Sequence, residues 1–371
     1  IKNGIDWRKT KGIAYIDDGQ VIMTDYVGEM DLDKLHFPKH LVSSKSDTVS
    51  VLSSRGCYGN CSFCSEKEFY RKNGTPIPRY RNVDNLLEEL KEISLQKSIK
   101  SISFADSNFM PGSLKRQEWL KQLVVKLKEN RLNFKYRLNT RANDVIRNKE
   151  IIPLLKEVGF SEYFIGVESF SQSQLDLYNK YVTAEQNIEA LQILSRNQIK
   201  IEIGFLPIEP YATLDEIRES IETLLKVDLF DSFDYTQEIF SLASKLFLTS
   251  GTRIAEMVSK DGLTASNDIG YKFMHPEVEE YYKRLENWKL IIAPYVNIRY
   301  MIDKANRYFL INKKERLIHC YLKILKTDVC IMRNLLDFGR SVNDIMNQGE
   351  EQILKIWDIY KDDYQYVKEY C

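Results

Sequence analysis

The sequence has no surplus of either charge, no long apolar run, no signal peptide and few cysteines. Lys+Arg and Asp+Glu both number 53 in 371 residues, so no global field marks nucleic acid as a partner. No apolar stretch approaches the roughly 18 residues of a membrane span; the nearest candidate is "WKLIIAPYV". Nothing at the N-terminus resembles a secretory signal, so a reducing cytoplasm is the expected compartment. The first residue is Ile1 rather than Met, so a missing N-terminal part is expected. Hydrophobic residues at 43% and charged residues at 29% are an ordinary globular balance, and the length allows one large domain or one domain with a smaller appendage.

What is present follows a repeating order. Residues 1–45 read as a preamble: a hairpin over "GIAYIDDGQVIMTD" with its turn at Asp18-Gly19, then an irregular connector, "LDKLHFPKH". From about residue 48, strand-like runs alternate with helical stripes. The strands are "TVSVLSS", "IKSISFA", "NFKYRLN", "YFIGV", "IKIEIGFL" and "FDYTQEIF". Leu86, Leu87, Leu90 and Ile93 fall at helical spacing, and a helical stretch from Asp144 is expected to stop at Gly159. Capping boxes stand at Thr183–Gln186 and Thr213–Glu216. Six strand-then-helix units predict a parallel sheet with helical crossovers, an open sheet or a barrel, and in both the chemistry gathers at the C-terminal ends of strands. Polar punctuation lies at those ends: "SSRGC", "ADSNF", "NTRAND", "GVES" and "PIEP". Three regions follow: the preamble 1–45, a core 46–265 and a helical C-terminal region 266–371.

Half of the six cysteines fall in "RGCYGNCSFC", as Cys57, Cys61 and Cys64. A disulfide conflicts with a reducing compartment and with the odd count. A zinc knuckle would need a fourth ligand from His36, His40 or a distant residue. An iron–sulfur cluster with three protein thiolates leaves one iron open to something other than protein.

At this spacing, with the aromatic Phe63 just before the third cysteine, residues 55–64 resemble the signature loop of the radical S-adenosylmethionine (SAM) superfamily. The resemblance implies an α/β fold, a partial (β/α)6 TIM-like barrel. It also implies a [4Fe-4S] cluster on Cys57, Cys61 and Cys64 whose open iron chelates SAM, and reductive cleavage of SAM to a 5'-deoxyadenosyl radical that takes a hydrogen from substrate. An electron donor of the flavodoxin or ferredoxin type would supply the reducing electron. "FADSNFM" resembles the strand-two end that helps place the methionine part of SAM, with Asp106 and Phe109. "LNTRAND" resembles the "TR" motif and makes Arg141 a candidate partner for a carboxylate. "FIGVESFSQSQLDLYNK" resembles the strand-four segment, with Glu168 a candidate for the ribose hydroxyls and Ser169 and Gln172 beside it. In "GFLPIEPYATLDE", Pro207 and Pro210 would shape a turn near the adenine, and Phe63 would rest beside it. Gly56 and Gly59 would give the cysteine loop room to wrap the cluster.

Each residue also has a purely architectural reading. Asp106 would cap the next helix, Arg141 would pair with Asp144 or Glu168, and Ser169 would be an N-cap. Gly166 and Gly204 would serve close backbone approach.

The preamble, "RYRNVDNLLEEL", "GVES" and "LTSGT" resemble the cobalamin-associated subgroup, which includes C-methylases, cyclases and ring-contracting enzymes and shades into peptide epimerases. The resemblance implies an enzyme acting on an unactivated C–H of a peptide or small natural product, with C-methylation the first expectation. Cobalamin would sit on a missing N-terminal part or a separate subunit. The expected "PGT" after strand six reads Ser250-Gly251-Thr252. The alternative is a cobalamin-independent epimerisation or rearrangement, with Cys320 or Cys330 giving a hydrogen atom to the substrate radical; the bland reading makes both buried small hydrophobes and Cys371 a terminal residue. A non-catalytic metal scaffold is the reading from another class.

Overall fold

The computed structural model describes residues 6–25, 31–40, 47–72, 78–110, 112–233, 244–265, 270–308 and 310–370. The preamble hairpin pairs β1 (Ala14–Asp17) with β2 (Gln20–Met23) in antiparallel register, Asp17 opposite Gln20. Asp18 and Gly19 both take positive φ, 45° and 77°, the twist that a two-residue hairpin turn requires. The connector after it docks on the helix Val83–Ser94. Asp33 accepts from the Asn82 amide at 2.9 Å, and His40 Nε2 lies 2.8 Å from Glu89 Oε1.

The core is a parallel sheet of five strands in sequential order: β3 (Thr48–Val51), β6 (Ser101–Phe104), β7 (Lys135–Arg141), β8 (Phe160–Glu168) and β9 (Lys200–Phe205). Two short strands, β4 (Ser54–Arg55) and β5 (Arg79–Tyr80), pair antiparallel just beyond β3 and frame the cysteine loop. Along β8 the residues from Ile165 to Glu168 leave the alternating pattern and are buried throughout, as a strand covered on both faces must be. Helices cover the outer face: Val83–Ser94 buries Leu86, Leu90 and Ile93, and Leu214–Val227 buries Ile217, Ile221 and Leu224. Both capping boxes form, with the Thr183 and Thr213 hydroxyls accepting from the Gln186 and Glu216 amides.

The expected sixth strand over 233–240 is described only at Phe233, which pairs in parallel with Ile201; residues 234–240 lie outside the described residues. The helical stretch expected from Asp144 to Gly159 divides into Ala142–Arg147 and Ile152–Glu157. The cause is Pro153 at the start of the second piece, where a residue without an N–H begins a helix but cannot continue one. Beyond residue 270 the chain is helical, in Pro276–Ile292, Ile298–Arg307, Ile311–Asn334 and Val342–Tyr370. One hydrophobic cluster runs from Val49 on β3 to Val367 on the last helix, so these helices share the barrel's core.

Candidate active site: a three-cysteine loop at the barrel mouth

The loop between β4 and the helix Ser65–Lys72 lies at the C-terminal end of the first parallel strand. It enters through Gly56 at φ 85°, a left-handed turn that glycine adopts without steric cost. Cys57, Cys61 and Cys64 are all free thiols of intermediate exposure. The loop is pinned along its length by parts distant in sequence. Ser62 donates from its amide to Tyr178 O at 2.9 Å and from its hydroxyl to Leu177 O at 2.7 Å. Ile254 N reaches Ser62 O at 3.0 Å, so the "SGT" turn closes on the loop even with Ser250 in place of proline. Asn179 Nδ2 donates to Asn60 O at 2.8 Å, and Tyr58 OH donates to Asp144 Oδ2 at 2.8 Å. Asp144 is fully buried and also accepts from Asn108 Nδ2 at 2.7 Å and Gly112 N at 2.9 Å.

Arg141, the last residue of β7, is brought to the cysteines. Its Nη1 donates to Cys61 Sγ at 3.0 Å and its Nη2 to Lys180 O at 2.5 Å. Burial works against its charge, but Cys61, with Tyr58 and Cys57, more than offsets this and leaves its pKa above the ordinary arginine value. It pairs with neither of its expected carboxylates. Asp144 lies 3.6 Å from Arg147, and Glu168 accepts from Lys180 Nζ at 2.9 Å. Burial pushes the Cys57 and Cys64 thiols up.

Glu168 ends β8 at φ 64°, where the register with β9 shifts. Its carboxylate lies over two glycines: a Cβ on Gly166 would stand 2.6 Å from Oε1, and one on Gly204 would stand 3.2 Å from Oε2. Those glycines therefore make room for the Glu168 side chain rather than only for backbone.

Three expected cofactor contacts are placed differently. Asp106 has no exposed surface, and Ser53 N at 3.0 Å, Ser53 Oγ at 2.6 Å and Ser54 Oγ at 2.5 Å occupy its oxygens, so it anchors the strand before the loop. It caps no helix either, because Ser113 caps the next one. Ser169 is buried in a turn, bonded to Gln174 at 2.7 Å, Ser220 at 2.8 Å and the Ser171 amide at 2.9 Å. Gln172 is exposed and donates to Asp176 at 2.8 Å; the buried glutamine of this segment is Gln174. Phe63 packs edge-on against Tyr178 at 5.2 Å, and Phe109 is in the core with Phe104 at 4.5 Å.

The two C-terminal cysteines are elsewhere. Cys320 is fully buried within the helix Ile311–Asn334, its nearest charges Lys323 and Asp363, and burial raises its thiol to about 12. Cys330 has Lys326, Arg333 and Asp228 as its charged neighbours, and Lys326 is ion-paired at 2.7 Å with Asp228. Asp228 caps the C-terminal end of the helix Leu214–Val227, which starts at the barrel mouth and runs away from it. Both thiols thus lie on the C-terminal helix Ile311–Asn334, Cys320 as a buried small hydrophobe and Cys330 half-buried. Cys371 lies outside the described residues.

Sequence reasoning missed Tyr58, Tyr178 and Lys180, each of which stands inside a quoted motif without an assigned part, and it gave Asp144 only the role of a partner for Arg141. It also missed Glu209, the acid of "PIEP", which is 1% exposed and accepts from Tyr211 N at 2.8 Å. Burial raises its carboxyl to about 7.

The donor set suits an iron–sulfur cluster. Three unpaired thiols share one pinned loop, with a buried guanidinium aimed at a sulfur and Gly59 leaving that guanidinium space. Among the described residues no three His, Cys, Asp or Glu side chains converge on a single metal ion, and His40 is engaged by Glu89 rather than by the loop.

Residues 51–224 match the family model of the radical SAM superfamily. The chain carries a radical SAM domain. Solved structures described as cobalamin-dependent radical SAM enzymes are among those its fold resembles. It is 30% identical over 218 residues to the anaerobic magnesium-protoporphyrin IX monomethyl ester cyclase of Rubrivivax gelatinosus, covering 55% of this chain and 38% of that protein. It is 27% identical to an uncharacterised methyltransferase of Pyrococcus horikoshii, over 71% of this chain and 55% of the relative. The chain thus spans between about a third and about half of these curated relatives. The fold of OxsB, a cobalamin-dependent SAM radical enzyme, superposes with a TM-score of 0.72 over 98% of this chain and 62% of OxsB; at 18% identity that likeness is one of fold. The radical SAM family implies a [4Fe-4S] cluster and SAM. Among the described residues no helix is long and apolar enough to cross a membrane.

Proposed function

We propose that this chain is the radical SAM part of a cobalamin-dependent enzyme that methylates an unactivated carbon of a small molecule or peptide. The observation that carries the radical chemistry is the loop of Cys57, Cys61 and Cys64, three free thiols held at the C-terminal mouth of the parallel sheet. These thiols would hold three irons of a [4Fe-4S] cluster. Cluster and SAM together would supply a carbon-centred radical strong enough to take hydrogen from an unactivated C–H.

The protein's own work is placement. Tyr58 fixes the loop to the helix Ala142–Arg147 that follows β7, and Ser62 and Asn179 fix it to the turn at 177–179 beyond β8, so the thiols keep one geometry. Glu168, held by Lys180 over Gly166 and Gly204, is the acceptor best placed for the hydroxyls of a ribose. Phe63 and Tyr178 form an aromatic wall beside the third cysteine. A reducing protein of the flavodoxin or ferredoxin type is the proposed electron donor. Cobalamin would sit on a separate domain or subunit. A methyltransferase and a C-methylase among the relatives support the choice of methyl transfer. Epimerisation with a cysteine donor is the weaker reading, because Cys320 and Cys330 lie on the C-terminal helix Ile311–Asn334 rather than at the strand ends.

Anaerobic reconstitution with iron and sulfide tests the reading. The full-length protein should bind about four irons per chain, absorb near ~400 nm, and convert SAM to 5'-deoxyadenosine under dithionite. Replacing any one of Cys57, Cys61 or Cys64 by alanine should abolish both cluster and turnover. A loaded, reduced cluster that leaves SAM intact would overturn it. Cobalamin bound to the full-length protein supports methyl transfer, whereas deuterium uptake from heavy water at a substrate carbon without methylation supports the alternative.

A further inference from the structure

Arg141 has more structure around it than a carboxylate partner needs. Its side chain is 6% exposed, and its fork has two fixed ends, Cys61 Sγ at 3.0 Å and the Lys180 carbonyl at 2.5 Å. The Lys180 side chain is itself locked to Glu168 at 2.9 Å, so the carbonyl that holds the guanidinium cannot drift freely. The Tyr58 ring lies 5.6 Å from the guanidinium carbon, and Tyr58 is tethered by Asp144. Gly59 completes the enclosure. A Cβ there would stand 2.6 Å from Arg141 Nη1 and 3.4 Å from Cys57 Sγ, so only glycine lets the guanidinium reach the sulfur. Arg141 Nε is buried without a hydrogen-bond partner, and the buried carboxylate that feels its charge, Asp144, is held by Tyr58, Asn108 and Gly112 rather than by the guanidinium.

We infer that Arg141 sets the reduction potential of the cluster by donating a charged hydrogen bond to the Cys61 sulfur, with Gly59 as the residue that permits it. The physical reason is general. Reduction adds one electron to the cluster, and a fixed positive charge and an N–H donor at a ligating sulfur stabilise the more negative state. The guanidinium stays protonated throughout, so no proton accompanies that electron. Arg141 acts through Cys61 and is a positioning residue rather than a catalytic one. A lysine could keep the charge but not the fork, since one ammonium cannot hold the Lys180 carbonyl and the sulfur in a fixed plane.

This inference rests on the cluster assignment above, and the test separates the two. The full-length protein and its R141Q, R141K and G59A variants would be reconstituted anaerobically, assayed for iron and sulfide, and titrated with a dithionite-class reductant while the electron paramagnetic resonance of the reduced cluster is followed. SAM affinity would be measured in parallel by equilibrium dialysis. The expected result is a more negative midpoint in R141Q at unchanged iron content, the reduction equilibrium falling on the order of tenfold, which is about 59 mV for a one-electron couple. R141K should fall between wild type and R141Q. G59A should shift in the same direction as R141Q, because its methyl group displaces the guanidinium. Should R141Q fail to load, R141K and G59A decide the outcome. Potentials equal to wild type in the loaded variants overturn the inference, as does a loss of SAM affinity at unchanged potential, which would assign Arg141 to the SAM carboxylate. A wild-type protein that holds no cluster sinks the functional proposal itself.

Discussion

At the mouth of the sheet, single residues are decided by what surrounds them rather than by their type. Asp106, Glu168 and Glu209 are three acids at strand ends, and their surroundings give them three fates. Ser53 and Ser54 consume the first, Lys180 pairs with the second, and the third is buried beside Tyr178 and Tyr271 with Glu216 also near. Burial raises the Glu209 carboxyl from 4.5 to about 7, so between those values the folded protein holds a proton that the unfolded chain releases. Its contribution to stability is therefore full below about pH 4.5 and is lost as pH rises through about 7. Glu209→Gln should flatten this slope. Wild type should lose on the order of 3 kcal/mol relative to the variant across that window at most, read as Tm against pH. Parallel Tm profiles would show that Glu209 does not titrate there. The carboxylate of Glu168 offers a second residue-scale test. Gly166→Ala puts a methyl group where Oε1 and Lys180 Nζ lie, at 2.6 and 3.0 Å, so it should weaken SAM binding at least as much as it lowers Tm. A variant with wild-type SAM affinity would remove Glu168 from the ribose site.

Among the elements, strands and their flanking helices were the most legible. The apolar spacing at Leu86, Leu87, Leu90 and Ile93 became one helix, and both Thr-led capping boxes formed as their residues dictate, because those signals are local. The stretch from Asp144 to Gly159 carries a helical pattern throughout, but Pro153 starts a second helix and breaks it in two. Gly159 does end it, at φ 104°, and a Cβ there would lie 2.1 Å from Phe134 O. That carbonyl belongs to the segment leading into β7, so Gly159→Ala would push apart β7 and β8 at their origin. Backbone strain and clash together should cost more than about 2 kcal/mol, measured by denaturant unfolding, and a change below about 0.5 kcal/mol would show that the strands can separate there without penalty.

For the whole molecule, the C-terminal helices are part of one continuous core with the barrel, and three of them meet tightly at Gly349. A Cβ there would meet Trp288 at 2.7 Å and Ile331 at 2.8 Å, so the helices Pro276–Ile292, Ile311–Asn334 and Val342–Tyr370 crowd one point. Gly349→Leu should cost about 1–3 kcal/mol by overpacking, lowering Tm while leaving the iron content of the folded protein unchanged; a lost cluster would mean that this bundle also shapes the mouth. The sequence alone determined the parallel sheet, the mouth at its strand ends and the three cysteines, because residue periodicity and thiol spacing act over a few positions of chain. It could not say which acid serves a cofactor and which serves the fold. Ser53 and Ser54 lie more than fifty positions from Asp106, Lys180 lies twelve from Glu168, and Cys61 lies eighty from Arg141. Only folding brings such partners within hydrogen-bond reach, and burial then decides which charges stay.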